Sequence, residues 1–267
     1  MRNLISGPGV LFVRSRISPK SHPTLSESTF LTWYDTEHIP EVLSTHNVSS
    51  AFRYVDVSKT SPIGDSQNRT PFLTCYPMSD IAFTQSEAFR AISVKSEKLP
   101  GTGVIYDLAD FEISYLGFLG ATPRKGDVCA EGGIGRAKFM ITYGVRPEEE
   151  PGQDKVVAFL EKQTAVISEA QHYIRTLHFK LLYARTNAQS RALKGLPTTD
   201  EPHFEPPTWL AIHEFSEFPE ESLLENVKSD SKTILNEPGN AEGWGKTESE
   251  MHVWKVETVH GEGKLFD

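Results

Sequence analysis

The chain has 267 residues, a formal charge of −9, and 38% hydrophobic, 10% aromatic and 24% charged residues, ordinary composition for a folded globular chain with a substantial core. That composition argues against collagen, coiled coil and extended disorder. The excess of 36 Asp and Glu over 27 Lys and Arg argues against nucleic acid or an anionic membrane as the principal partner, because no basic cluster is present to displace phosphate counterions.

Gly9 to Arg14 reads as a strand, with Phe12, Arg14 and Arg16 on one face and Leu11, Val13, Ser15 and Ile17 on the other. The apolar-or-small set suits covering helices, which leaves Phe12 and Arg14 facing the opposite side. A helix over Ser28 to Leu43 follows, then strands at Ala51 to Asp56 and Pro71 to Tyr76, a helix at Thr84 to Val94, and a strand at Asp110 to Tyr115. Gly120 to Gly135 has the composition of a linker. The order then repeats about 126 residues later: a strand at Gly135 to Tyr143, a helix at Asp154 to Ala170, and His172 where the first copy has His46. A strand at Leu177 to Leu182 leads into the polar, Pro-rich stretch from Arg185 to Pro206, read as a long loop. A strand at Pro207 to His213, a helix at Glu220 to Ser229 and a strand at Met251 to Val256 complete the second copy.

Each copy therefore reads β-α-β-β-α-β, the order of the ferredoxin-like split unit, whose sheet carries helices on one face and needs cover on the other. The expected fold is α+β: two tandem ferredoxin-like units, residues 1–120 and 135–267 joined by a linker at 121–134, forming an intramolecular α+β barrel. Such a pseudo-dimer is expected as a monomer, with exposed edge strands as the route to a homodimer. No apolar run approaches the ~18 residues that span a bilayer, and Met1 to Ile5 opens no signal peptide, so a cytoplasmic location is expected. Cys75 and Cys129 can make neither a disulfide framework nor a Cys-based zinc site.

The richest stretch is Phe30 to Glu41, where aromatics, acids and a histidine are crowded before Pro40. On a helix Tyr34 and His38 are i,i+4 neighbours and Asp35 lies three residues before His38, so a carboxylate could orient the imidazole. In Trp33, Tyr34, Glu37, His38 and Pro40 the sequence resembles the EthD-like branch of the dimeric α+β barrel superfamily, whose first helix carries a pattern like W-Y-x-x-E-H-x-P. The match covers residues 9 to about 119. At the 126-residue offset His38 falls on Thr164, so the second copy lacks the motif. The resemblance implies one retained site, completed by the second half. Members of the superfamily include cofactor-free decarboxylases, cyclases, dehydratases and isomerases, quinone-forming monooxygenases, haem enzymes and stress proteins. Fused two-copy chains look most like proteins accompanying fungal secondary-metabolite pathways.

The expected activity is that of a cofactor-independent lyase, isomerase or cyclase acting through an enol on a small, hydrophobic, aromatic or polyketide-like metabolite. His38 would move the proton, Tyr34 would hydrogen-bond the enolate oxygen, Asp35 or Glu37 would hold the imidazole, and Arg14 would neutralise a substrate carboxylate. Phe12, Tyr54, Phe72 and Tyr76, with His178, Trp209 and His213 from the second copy, would line the cavity, and Trp33 would pack beside it. No metal site and no cofactor are expected, since H-x-H and H-x-x-x-H spacings, a phosphate loop and G-x-S-x-G are missing. Were haem present, His178 or His213 would be its ligand. Alternatives are a monooxygenase acting on a phenol, separated by dependence on dioxygen, and a ligand-binding or stress protein without turnover.

Overall fold

A computed structural model describes residues 5–66, 68–125, 137–198, 205–236 and 244–266. The fold is α+β. Its strands are β1 (Gly9–Ile17), β2 (Ser50–Asp56), β3 (Phe72–Met78), β4 (Ala109–Ala121), β5 (Phe139–Pro147), β6 (Tyr173–Arg185), β7 (Trp209–Phe215) and β8 (Thr247–Gly261). They hydrogen-bond in the order β1-β3-β2-β8-β5-β7-β6-β4, which closes into an antiparallel barrel. Among the described residues no helix is long and apolar enough to cross a membrane.

Two compact units share the chain. The first comprises Met1–Gly117, Leu182–Glu205 and Val256–Asp267, and the second Phe118–Leu181 and Pro206–Lys255. Each is thus assembled from separated segments, and β4, β6 and β8 each run from one unit into the other. Of the linker expected at 121–134, residues 126–134 lie outside the described residues. The part before them stays on the sheet, with the Thr122 and Lys125 amides donating to the carbonyls of Thr176 (2.9 Å) and Ile174 (2.8 Å).

In the first unit β3 and β4 flank β1, and β2 pairs with β3. Helices α1 (Glu27–Trp33) and α2 (Ile39–Ser44) cover one face of this sheet. Phe30, Trp33, Ile39 and Val42 pack there against Leu11, Val13, Ile17, Phe111 and Ile113, as the apolar alternation of β1 required. The opposite face carries Phe12 and Arg14, and both are buried as well. Helix α1 starts where the Ser26 side chain accepts from the Thr29 amide at 3.1 Å, with Glu27 in its first turn. Between α1 and α2 the backbone widens into a π-turn, Tyr34–His38, closed by the Ile39 amide on the Tyr34 carbonyl. Pro40 accounts for it: a proline cannot donate to the Thr36 carbonyl and its ring crowds that oxygen, and one wider turn relieves both.

The second unit repeats the strand order, with β7 and β8 flanking β5, and β6 paired with β7. Helix α4 (Gln153–Ile167) packs Phe159, Leu160 and Ile167 on that sheet, and α6 spans Glu221–Asn236. His46 and His172 both take left-handed φ, 60° and 64°, shortly after α2 and α4. The structure departs from the sequence expectation in several segments. The last strand of each half is far longer than six residues, and the loop read from Arg185 to Pro206 contains a helix, α5 (Asn187–Leu193). Before it, α3 (Glu87–Ala91) forms the short helix between β3 and β4.

Phe30 is fully buried, with ring centroids 5.2 Å from Tyr34 and 5.6 Å from Phe72, and seats the motif helix on the sheet. Phe30→Ala should cost about 3–5 kcal/mol. A urea titration checks this, with a lower midpoint expected at an unchanged slope.

Candidate active site

The first unit encloses a cavity of about 250 Å³ beneath the π-turn. Leu11, Val13, Ile113 and Tyr115 form its sheet wall, Trp33, Tyr34, His38 and Val42 its helix wall, and Tyr183, Arg185 and α5 close it. The His38 ring stacks on Trp33 (4.9 Å between centroids, 17° between planes) and meets Tyr34 edge-on at 5.5 Å and Tyr76 at 6.5 Å.

Burial lowers the His38 pKa to about 4, the Lys194 charge adds to the effect, and a hydrogen bond to the Ser93 backbone opposes it. The imidazole is therefore neutral at neutral pH. Its Nδ1 is buried and has no hydrogen-bond partner among the described residues. In the tautomer that carries its proton on Nε2, Nδ1 would present a free lone pair, the arrangement of a general base. The Tyr76 hydroxyl is likewise buried without a partner. Burial pushes the Tyr34 and Tyr76 hydroxyls well above the usual phenol range, so both are neutral hydrogen-bonding groups.

Neither acid of the motif holds His38. Against desolvation, which raises it, the Asp35 carboxylate is kept below its usual pKa by Arg53, which donates through Nε (3.0 Å) and Nη2 (2.7 Å). Thr258 and His260 add bonds at 3.0 and 3.2 Å. Glu37 pairs with Lys98 at 2.8 Å on the exposed side. The widened turn leaves Asp35, which helical spacing would set one turn before His38, with Arg53 instead of the ring.

The cavity lies on the helix side of the sheet, and this regroups the expected lining. Phe12, Arg14 and Tyr54 share the other face by register, opposite Cys75 and Leu73. Arg14 is paired there with Glu112 (3.2 Å), which also binds Arg69, so it cannot meet a substrate carboxylate in this cavity. Phe72 and Tyr76, expected beside Phe12, instead share the helix face with Leu11 and Ser15. Tyr76 borders the cavity and Phe72 packs on Phe30. His178, Trp209 and His213 belong to the second unit and do not border it. His213 Nδ1 bonds Thr176 Oγ1 (2.8 Å) and His178 Nε2 bonds Thr164 Oγ1 (3.3 Å), both on the helix side of their own sheet. Both faces of these strands are buried, so hydrophobic alternation carried no mark of which side held a cavity.

Sequence reasoning missed Tyr106, Tyr115, Tyr183, Arg185, Ser190 and Lys194, all of which border the cavity. A signal existed for the last two. Thr186 and Gln189 form a capping box opening α5, and Gly195 (φ 66°) ends it. Lys194 Nζ holds this helix over the cavity by donating to the carbonyls of Arg90 (2.5 Å) and Ile92 (2.6 Å). Among the described residues, no group of three or more His, Cys, Asp or Glu could hold a metal ion.

No protein-family model matches the chain. It is 22% identical over 226 residues to core atranone cluster (CAC) protein 1 of Stachybotrys chlorohalonatus, covering 85% of this chain and 89% of that one. The solved structure of an anthrone oxidase-like protein shares the fold, with a TM-score of 0.52 at 12% identity, covering 97% and 94% of the two chains. A mutant chlorite dismutase from Candidatus Nitrospira defluvii, in complex with cyanide, aligns over 95% and 92% at 10% identity with a TM-score of 0.46.

The His38 pKa sets a pH dependence of known sign. Folded His38 stays unprotonated down to about 4, while the unfolded residue binds its proton near 6.5. Stability is therefore fully present above pH ~6.5 and falls as the pH drops towards 4. His213, lowered to about 3, acts in the same direction. His38→Phe should narrow the difference in urea midpoint between pH 7 and pH 4.5 relative to the wild type.

Proposed function

We propose that the chain is an acid–base enzyme of secondary metabolism that abstracts a proton from a flat, oxygenated aromatic or polyketide-like substrate, with His38 as the base. The observation that carries this reading is the buried, neutral imidazole with a free Nδ1 at the wall of an aromatic cavity. Tyr76, with its hydroxyl unpartnered, would hydrogen-bond the oxygen that becomes an enolate or phenolate, and Tyr34 would shape the wall beside it. Trp33 would present an indole face for stacking. Asp35 positions the turn through Arg53 and does not touch the ring. The similarity to an atranone-cluster protein supports a place in secondary metabolism.

We read the two halves as duplicated ferredoxin-like units with the first-half motif of EthD-like proteins. Their matching strand orders and the left-handed histidines His46 and His172 support the duplication. Proton abstraction by itself needs no cofactor. The resulting carbanion could eliminate or rearrange, the lyase or isomerase outcome, or react with dioxygen. The anthrone oxidase-like protein of the same fold supports keeping the second outcome in view and makes anthrone the first probe.

The test is hydrogen–deuterium exchange at the anthrone methylene in D₂O under nitrogen, followed by NMR. The protein should accelerate exchange, His38→Gln should lower that acceleration roughly 10²–10⁴-fold, and Glu37→Gln should leave it intact. An unchanged rate in His38→Gln would overturn the assignment. Admitting dioxygen then separates the outcomes, since oxygen uptake marks a monooxygenase and its absence a lyase or isomerase.

A further inference from the structure

The charge lining the cavity is opposite to that of the protein. The chain carries −9 overall, yet three cationic side chains, Arg90, Arg185 and Lys194, border the cavity and no Asp or Glu does. These three differ in what holds them. Arg90 is exposed, and Lys194 is engaged by the Arg90 and Ile92 carbonyls. Arg185, the last residue of β6, is only 9% exposed, and its Nε is buried without a hydrogen-bond partner. Among the described residues no carboxylate forms an ion pair with it. Its neighbours are aromatic: the guanidinium lies 5.8 Å from the Tyr115 ring centroid, and its charge also acts on Tyr106.

A buried guanidinium without a counter-ion is costly, and a cation–π contact offsets only part of that cost. The unsatisfied atom is informative. Nε and one terminal nitrogen form the side-on fork that binds a carboxylate through two parallel hydrogen bonds. A single buried guanidinium balances one negative charge, and the remaining walls are aromatic and aliphatic.

We propose that Arg185 is the carboxylate-binding residue of this cavity, and that the cavity takes a flat aromatic monoanion whose ring lies among the aromatic lining. This rests on reading the cavity as a substrate site, and it transfers to Arg185 the task the sequence pattern had suggested for Arg14. A ring-borne carboxylate held there fixes the orientation of the substrate, while His38 handles the proton.

Calorimetric titration with 2-naphthoate and its neutral analogue 2-naphthamide tests the proposal on the intact chain. The carboxylate should bind at least about tenfold tighter, the lower end of what hydrogen bonds to a charged group supply. Arg185→Gln should bring the two ligands within about twofold by weakening naphthoate alone, and Arg185→Lys should restore part of the difference. Equal affinities in the wild type, or a preference that survives Arg185→Gln, would overturn it. Arg185→Leu should melt no lower than the wild type, since it removes an uncompensated buried charge, whereas a purely structural arginine would lower the melting temperature. The naphthoate preference should persist in His38→Gln, so failure of proton abstraction and failure of carboxylate binding are read separately.

Discussion

Asp35 is the hinge on which the site depends. One half-buried carboxylate receives both arms of Arg53 from the middle of β2, and Thr258 and His260 from the end of β8. It sits one residue into the π-turn, so the turn that presents Tyr34 and His38 is fastened to two strands at its weakest point, where regular helical hydrogen bonding is interrupted. Pro40 sets the wider turn, and the Asp35 bonds hold it against the sheet. The ion pair, the proline and the aromatic stack together fix one ring orientation.

Much of the architecture was legible in the sequence, because strands such as Gly9–Ile17 and Phe72–Met78 are short apolar runs bounded by turn residues. The candidate histidine was legible too. Its surroundings were not, for physical reasons that can be named. Helical spacing put Asp35 near His38, but Pro40 imposes a turn with a different residue count, and the acid pairs with Arg53 instead. Strand alternation separated the two faces of β1 correctly but could not say which face held the cavity. Arg14 looked like an anion-binding residue because its partner, Glu112, lies 98 positions further along the chain, where only the β1–β4 register shows it opposite. Arg185 and α5 were hidden by the polar, proline-rich composition of their neighbourhood, which outweighed a four-residue capping box.

Electrostatics divide the work inside the cavity. Burial keeps His38 neutral and so available as a base, and Lys194 strengthens that effect from the α5 side. The same desolvation keeps the Tyr34 and Tyr76 hydroxyls protonated and uncharged. A single apolar environment thus sets opposite roles for two residue types, because it disfavours the charged form of each.

The interleaving of the units bears on how such a site can have arisen. Tyr183, Arg185, Ser190 and Lys194 come from the second half of the chain, yet they complete the wall of a cavity built on the first. A gene encoding only the first half would specify the histidine and the aromatic turn but neither the buried cation nor the covering helix. Under the proposed duplication the two halves would supply different things to one cavity, the first the histidine and its aromatic turn, the second the buried cation and the covering helix that follows its second strand.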